Sequence, residues 1–217
     1  MRKLLLILCV ILPQGIKQGI YRGVFRWKIG KRVRIGFSYL DSVSVDLGND
    51  VRIGHFNVAR GLSRFHIGER SYLANFNEFF GNGGAYEGFQ SVLEIGSGVN
   101  FMSHHFIDVA GIVSIGDRAT IGGRDTHFWS HTRTLKNGIP KLEPTKVMIG
   151  ADVYVGARAT LVGCSIPEGA VVGAGSVVTK CFAAEAQRLL IAGNPAAVKK
   201  RYDVTSENAV SETPGRL

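Results

Sequence analysis

Between Val147 and Lys180 an aliphatic residue recurs every six positions, at Ile149, Val155 and Leu161. After a five-residue step to Ile166 the spacing of six resumes at Val172 and Val178. Gly150, Gly156 and Gly173 each follow one of these aliphatics directly. A period of six is neither the 3.6 of an amphipathic helix nor the 2 of a half-buried strand. It is the period of a β-solenoid, in which each short flat strand sends one large residue inward and a small residue turns the corner. The ladder begins at Ile29-Gly30 and Ile35-Gly36, and steps of six recur at Leu47/Ile53/Ala59, Ile67/Leu73, Ile95/Phe101/Ile107 and Ile115/Ile121. One such pair means little. Several, most with Gly after the aliphatic, are hard to explain by any other fold.

Size and composition agree with that reading. A chain of 217 residues supports one solid core and a small appendage. Its 28 glycines and 6 prolines suit an all-β array with a turn every few residues. The net charge of +9 fits a nucleic acid, an anionic membrane surface or a phosphorylated small molecule. No aromatic-plus-basic RNA motif, zinc finger or helix-turn-helix pattern is present, which argues against nucleic acid. Cys9, Cys164 and Cys181 are odd in number and lack metal-ligand spacing, so a reducing compartment is the simpler reading.

Residues 1–28 stand apart from the ladder. Arg2 and Lys3 precede the nine apolar residues Leu4 to Leu12, and Pro13 ends that run. Nine are too few to span a bilayer as a helix, and no small-x-small cleavage site follows. Two compatible readings stand: a helical cap that hides the first strands from edge pairing, and a basic, aromatic-bearing segment lying in a membrane interface. The solenoid is expected over 29–180, with excursions at 77–92 and 123–146. Residues 181–190 read as a short helix or irregular cap, and 204–217 as a loose polar tail. Function in solenoids sits on loops that leave the coil. The 123–146 excursion, with His127, Trp129 and His131, is therefore the first place to seek chemistry.

Several stretches resemble the hexapeptide-repeat acyltransferases, in particular the maltose, galactoside and colanic-acid O-acetyltransferase group. They are Val172-Gly-Ala-Gly-Ser-Val-Val-Thr-Lys180, Ala192-Gly-Asn-Pro195, Tyr72-Leu-Ala-Asn-Phe-Asn77 and Trp129-Ser-His131. The resemblance covers roughly residues 29–200 and implies an all-β, left-handed parallel β-helix of triangular section. It also implies a homotrimer that binds acetyl-CoA and a saccharide acceptor in clefts between subunits, in the cytoplasm. The sequence departs from the family pattern at Tyr154, where Trp is common, and in the length of the 77–92 excursion.

Acetyl transfer from a thioester to a hydroxyl needs a base for the hydroxyl proton and a pocket that aligns both substrates. Histidine suits the base. His131 falls where the family's catalytic His is found; the alternative is a loop histidine satisfied by backbone hydrogen bonds. On the acceptor side, Asn75 matches the family's acceptor-binding asparagine; the alternative is a corner-stacked amide. His127 and Trp129 are candidate substrate contacts, with an ordinary surface role the alternative for His127. One of His104 and His105 should face outward, since alternate strand residues point opposite ways, and His105 is the candidate for the cleft. On the donor side the resemblance implies that Ala157 and Ala174 line a coenzyme A channel. It places Thr179 and Lys180 near the adenosine phosphates and makes Lys200 a distal basic contact. No metal is expected. The competing enzyme reading is a γ-carbonic-anhydrase-like β-helix, which needs three histidines converging on zinc across a subunit interface. A non-catalytic scaffold is the remaining alternative.

Overall fold

The computed structural model of the chain describes residues 1–85, 87–185 and 188–203; the tail read over 204–217 lies outside them. Short parallel strands wind into a three-sided prism, a left-handed parallel β-helix. On the first face Leu47, Ile67, Ile95, Ile115, Ile149 and Ile166 stack in register. The second face stacks Ile35, Ile53, Leu73, Phe101, Ile121, Val155, Val172 and Ile191. The third stacks Leu40, Ala59, Phe79, Ile107, Phe128, Leu161 and Val178. All of these are buried. Each large apolar rung contributes about 1.5–3 kcal/mol by leaving water. The six-residue period is thus one strand and one corner per face.

The excursions are narrower than the sequence suggested. Glu78–Phe80 and His127–Trp129 are coil strands of the third face. Among the described residues between the first and last coils, the chain leaves the prism after Phe80 and over 130–145, both times at the corner between the third and first faces. The second departure is an antiparallel hairpin, His131–Lys136 paired with Ile139–Pro144. Its turn residues Asn137 and Gly138 have φ of 52° and 76°, the double left-handed geometry that Asn-Gly favours.

The two ends of the prism are closed differently. After Pro13 breaks the apolar run, helix α1 (Arg2–Ile11) is followed by α2 (Gln14–Gly23). Helix α2 turns a polar stripe toward the first coil, beside the buried Tyr21. Gln14 bonds the Ile35 N–H, Gln18 the Val33 carbonyl and Arg22 the Ile29 carbonyl. Buried Lys17 donates to the carbonyls of Val10, Ile35 and Gly36 at 3.1, 3.2 and 2.9 Å. An open strand edge presents unpaired backbone groups, and these side chains satisfy them. At the far end, Arg188–Gly193 extends the second face and pairs antiparallel with Ala196–Tyr202. The Gly193–Pro195 turn joins the two, where the sequence reading had only a helix or irregular cap.

A buried polar ladder lines the corner between the second and third faces. Ser38 Oγ accepts the Asn57 N–H at 3.0 Å, and Asn57 Oδ1 accepts the Asn77 N–H at 2.9 Å. Asn77 Oδ1 accepts the His105 N–H at 3.0 Å, and His105 Nδ1 accepts the Thr126 N–H at 3.1 Å. Each rung's side chain satisfies the corner amide of the next coil, as a buried amide requires. This corrects the outward assignment of His105: its ring is buried, edge-on to Phe101. His104 takes the outward position, with φ of 63° and its ring stacked on Phe76. Burial, the largest cause, lowers the His105 pKa from 6.5 to about 4 against the opposing pull of Asp125.

A group whose folded pKa lies below its unfolded value binds fewer protons when folded, so stability falls as pH drops from about 6.5 toward 4. The full loss from this residue is about 3 kcal/mol, at about 1.36 kcal/mol per unit. Asparagine holds the same ladder position at Asn57 and Asn77 and does not titrate. His105→Asn is therefore expected to flatten the acid limb of a plot of unfolding midpoint against pH. An unchanged limb in urea titrations between pH 7 and 4 would assign the acid sensitivity elsewhere.

Candidate active site

Asp108 ends a third-face strand, and its carboxylate stands outward at the corner where the hairpin departs. The chain passes one coil higher through Trp129 and Ser130 to His131, the first hairpin residue. His131 Nδ1 lies 2.8 Å from Asp108 Oδ1. The same oxygen accepts the Ser130 N–H at 3.1 Å, while Ser130 Oγ donates to the Asp108 carbonyl at 2.8 Å. Ser130 Oγ in turn accepts the Gly111 N–H at 2.9 Å. The root of the hairpin is thus tied to the coil beneath it. Gly111 is required here: a Cβ would collide with the carbonyl oxygens of Ser130 and Thr145, the pair that closes the hairpin.

The pairing fixes the imidazole's protons. A carboxylate accepts only, so Nδ1 carries the hydrogen and donates it, leaving the Nε2 lone pair free. His131 remains partly open to solvent, with its side chain 28% exposed and that of Asp108 13%. An oriented, accessible imidazole of this kind can take a proton from a hydroxyl brought to Nε2. Trp129 stands edge-on to His131 at 6.1 Å, and Phe106 lies 5.3 Å from Trp129. His127 is exposed on the same outward row as Phe106, 6.1 Å from its ring. The structure therefore brings His131, Trp129 and His127 to one neighbourhood. They share it with Asp108, which the sequence reading did not single out.

The remaining candidates are dispersed. Asn75 stands at the second-to-third corner, and its Oδ1 accepts the His55 N–H at 2.7 Å, the corner-stacked alternative. It is flanked by Phe56 and Phe76, both with left-handed backbones and with rings 5.1 Å apart. Ala157 and Ala174 stack on that same corner, and the Ala157 carbonyl accepts the Gly175 N–H at 2.9 Å. They are thus on a different edge of the prism from His131. Thr179 and Lys180 follow the third-face strand Val177–Val178, on the edge that carries His131. Two coils separate them, roughly 10 Å at the spacing of neighbouring strands. Lys180 Nζ lies over the Phe182 ring at 5.3 Å. Lys200 is on the closing strand, its Nζ 4.7 Å from the Tyr202 ring centre. Among the described residues no three His, Cys, Asp or Glu side chains gather as a metal-ligand set within the chain.

Comparison with known proteins agrees with this architecture. Residues 146–180 match the family described as hexapeptide repeat of succinyl-transferase. No curated protein sequence matches. Among solved structures, AntD, an N-acyltransferase from Bacillus cereus in complex with dTDP and coenzyme A, is 18% identical with a TM-score of 0.50. That match covers 89% of this chain and 91% of AntD. The polysialic acid O-acetyltransferase OatWY is 21% identical with a TM-score of 0.50, over 87% of this chain and 94% of its own. The chain is a left-handed parallel β-helix that carries the hexapeptide repeat over 146–180 and shares its fold with AntD and OatWY.

Proposed function

We propose that the protein is an acyltransferase that moves an acetyl group from acetyl-CoA to a hydroxyl of a saccharide, with His131 as general base. The observation that carries the reading is the Asp108–His131 pair at the hairpin root, made through Nδ1 on a partly exposed ring. In the proposed step Nε2 accepts the acceptor's hydroxyl proton as its oxygen attacks the thioester carbon. The C–S bond then breaks, and the imidazolium returns the proton to the leaving thiolate. Asp108 holds the ring and stabilises its charged form. Trp129 and His127 offer an apolar wall and a hydrogen-bonding edge to the acceptor.

The donor assignments support an assembly of like subunits. Thr179 and Lys180 share an edge with His131, but Ala157 and Ala174 lie on another edge of the same prism. A pantetheine arm touching all of them needs the His131 edge of one copy beside the Ala157 edge of the next. We read this as a homotrimer acting in the cytoplasm, where acetyl-CoA is available, on a surface-polysaccharide precursor. The work of OatWY on polysialic acid is consistent with a saccharide acceptor.

Incubation with acetyl-CoA and a panel of saccharides tests the reading. Mass spectrometry is expected to show one acetyl ester on an acceptor, formed in proportion to free coenzyme A. Absence of transfer to any panel member, together with about one bound zinc per subunit, would favour the γ-carbonic-anhydrase-like reading instead.

A further inference from the structure

Helix α1 is apolar on both sides, and the core uses only one of them. Leu6 and Cys9 are buried against the first coils. On the opposite side Leu4, Ile7, Leu8 and Ile11 are 72%, 57%, 48% and 69% exposed. Their spacing of i, i+3, i+4 and i+7 makes one continuous stripe. Val24 and Val43 extend it, and with Leu4, Leu8 and Phe25 they line a hollow of about 760 Å³. A contiguous apolar surface of this kind on a folded protein marks a contact.

The charge around the stripe narrows the choice of partner. Residues 1–28 contain no Asp or Glu. Arg2, Lys3, Arg22, Arg26 and Lys28 are all exposed, and the Arg2 guanidinium lies 5.7 Å over the Phe25 ring at the edge of the hollow. Arg2 is paired with Asp41, but two copies joined through this stripe would bring Lys3, Arg22, Arg26 and Lys28 of each together with no acid in the segment to offset them. A surface of anionic lipids supplies the missing charge and an apolar layer for the stripe. α1 has 10 residues, about 15 Å of helix, and among the described residues no helix is long and apolar enough to cross a membrane. The arrangement is that of a helix lying flat in the interface.

We propose that the exposed face of α1, with the hollow beside Phe25, docks on an anionic lipid surface. A second, more polar hollow of about 740 Å³, bordered by Arg60 and the 81–91 excursion, also touches Arg2, Lys3 and Val43. Docking therefore brings the edge from which both excursions leave close to the lipid headgroups. The inference does not depend on acyl transfer, and activity on a soluble acceptor is expected to be indifferent to it.

Flotation of the full chain with vesicles tests the proposal. Vesicles of phosphatidylcholine with phosphatidylglycerol are expected to carry the protein at low salt, and vesicles of phosphatidylcholine alone to carry little. Ile7→Asp with Ile11→Asp is expected to lower the bound fraction roughly tenfold or more, with the unfolding midpoint unchanged. Lys3→Ser with Arg26→Ser, which leaves the apolar stripe intact, is expected to weaken binding and its salt dependence. Equal behaviour on both vesicles, or wild-type binding by either variant, would overturn the proposal. So would loss of a lipid-free oligomer in the Ile7/Ile11 variant, since the stripe would then be an interface between copies.

Discussion

His131→Ala lowers turnover more than about a hundredfold and leaves the affinity for coenzyme A nearly unchanged; that is the expected result. The side chain is tied to the fold by its Nδ1 hydrogen bond to Asp108 and an edge-on contact with Trp129. The hairpin keeps its own backbone pairing from residue 132 to 143 without it. The loss should therefore fall on the chemical step. The donor candidates Ala157, Ala174, Thr179, Lys180 and Lys200 are untouched by the change, so coenzyme A affinity measured by calorimetry should hold. Steady-state assays with saturating donor separate kcat from KM. Unchanged turnover would remove His131 as the base and revive the non-catalytic scaffold.

Asp108→Ala and Asp108→Asn are each expected to lower kcat by about a hundredfold or more. The two variants separate geometry from charge. Asparagine retains an oxygen that can accept the Ser130 N–H, so the hairpin root is kept, but its amide N–H can donate to His131 Nδ1 and move the ring hydrogen to Nε2. It lacks the negative charge that stabilises the imidazolium as the proton arrives. Alanine loses both. Asp108 acts through His131 and is a positioning residue, so its signature must lie beyond a simple loss of rate. In Asp108→Asn the loss should fall on kcat, with the unfolding midpoint near the wild-type value. KM for the donor should stay near the wild-type value in both variants. Equal losses in kcat and in thermal stability would reduce Asp108 to a structural tie.

Much of the prism was legible because its rule is local. Apart from Phe101 and the closing Ile191, each first-face and second-face rung is an aliphatic, usually with Gly after it, six residues from its neighbour. The third face was harder to read. Phe79 lies six residues after Leu73, but it is followed by Phe80 instead of a small residue, and a glycine-rich segment comes next. Phe128 lies seven after Ile121, because the corner through Gly122 to Thr126 holds one residue more. Both rungs were therefore absorbed into excursions. The site was legible in part for the same reason. His131 was marked by its place in a segment that leaves the coil, whereas Asp108 looked like an ordinary outward residue after Ile107. Its partner is 23 positions away in sequence. Only the parallel register that sets Asp108 beside Trp129 brings the two together. His105 was misassigned because strand alternation does not apply at a corner, where His104 takes a left-handed backbone and His105 turns inward.

A crystal structure of the full chain with coenzyme A tests the central claim most directly. The account predicts the thiol of coenzyme A within about 4 Å of His131 Nε2, near the reach of proton transfer. The pantetheine arm should run past Ala157 and Ala174 of a neighbouring copy. Coenzyme A bound on another face, with its thiol more than about 10 Å from every His131 in the assembly, is beyond any direct proton transfer and would contradict it.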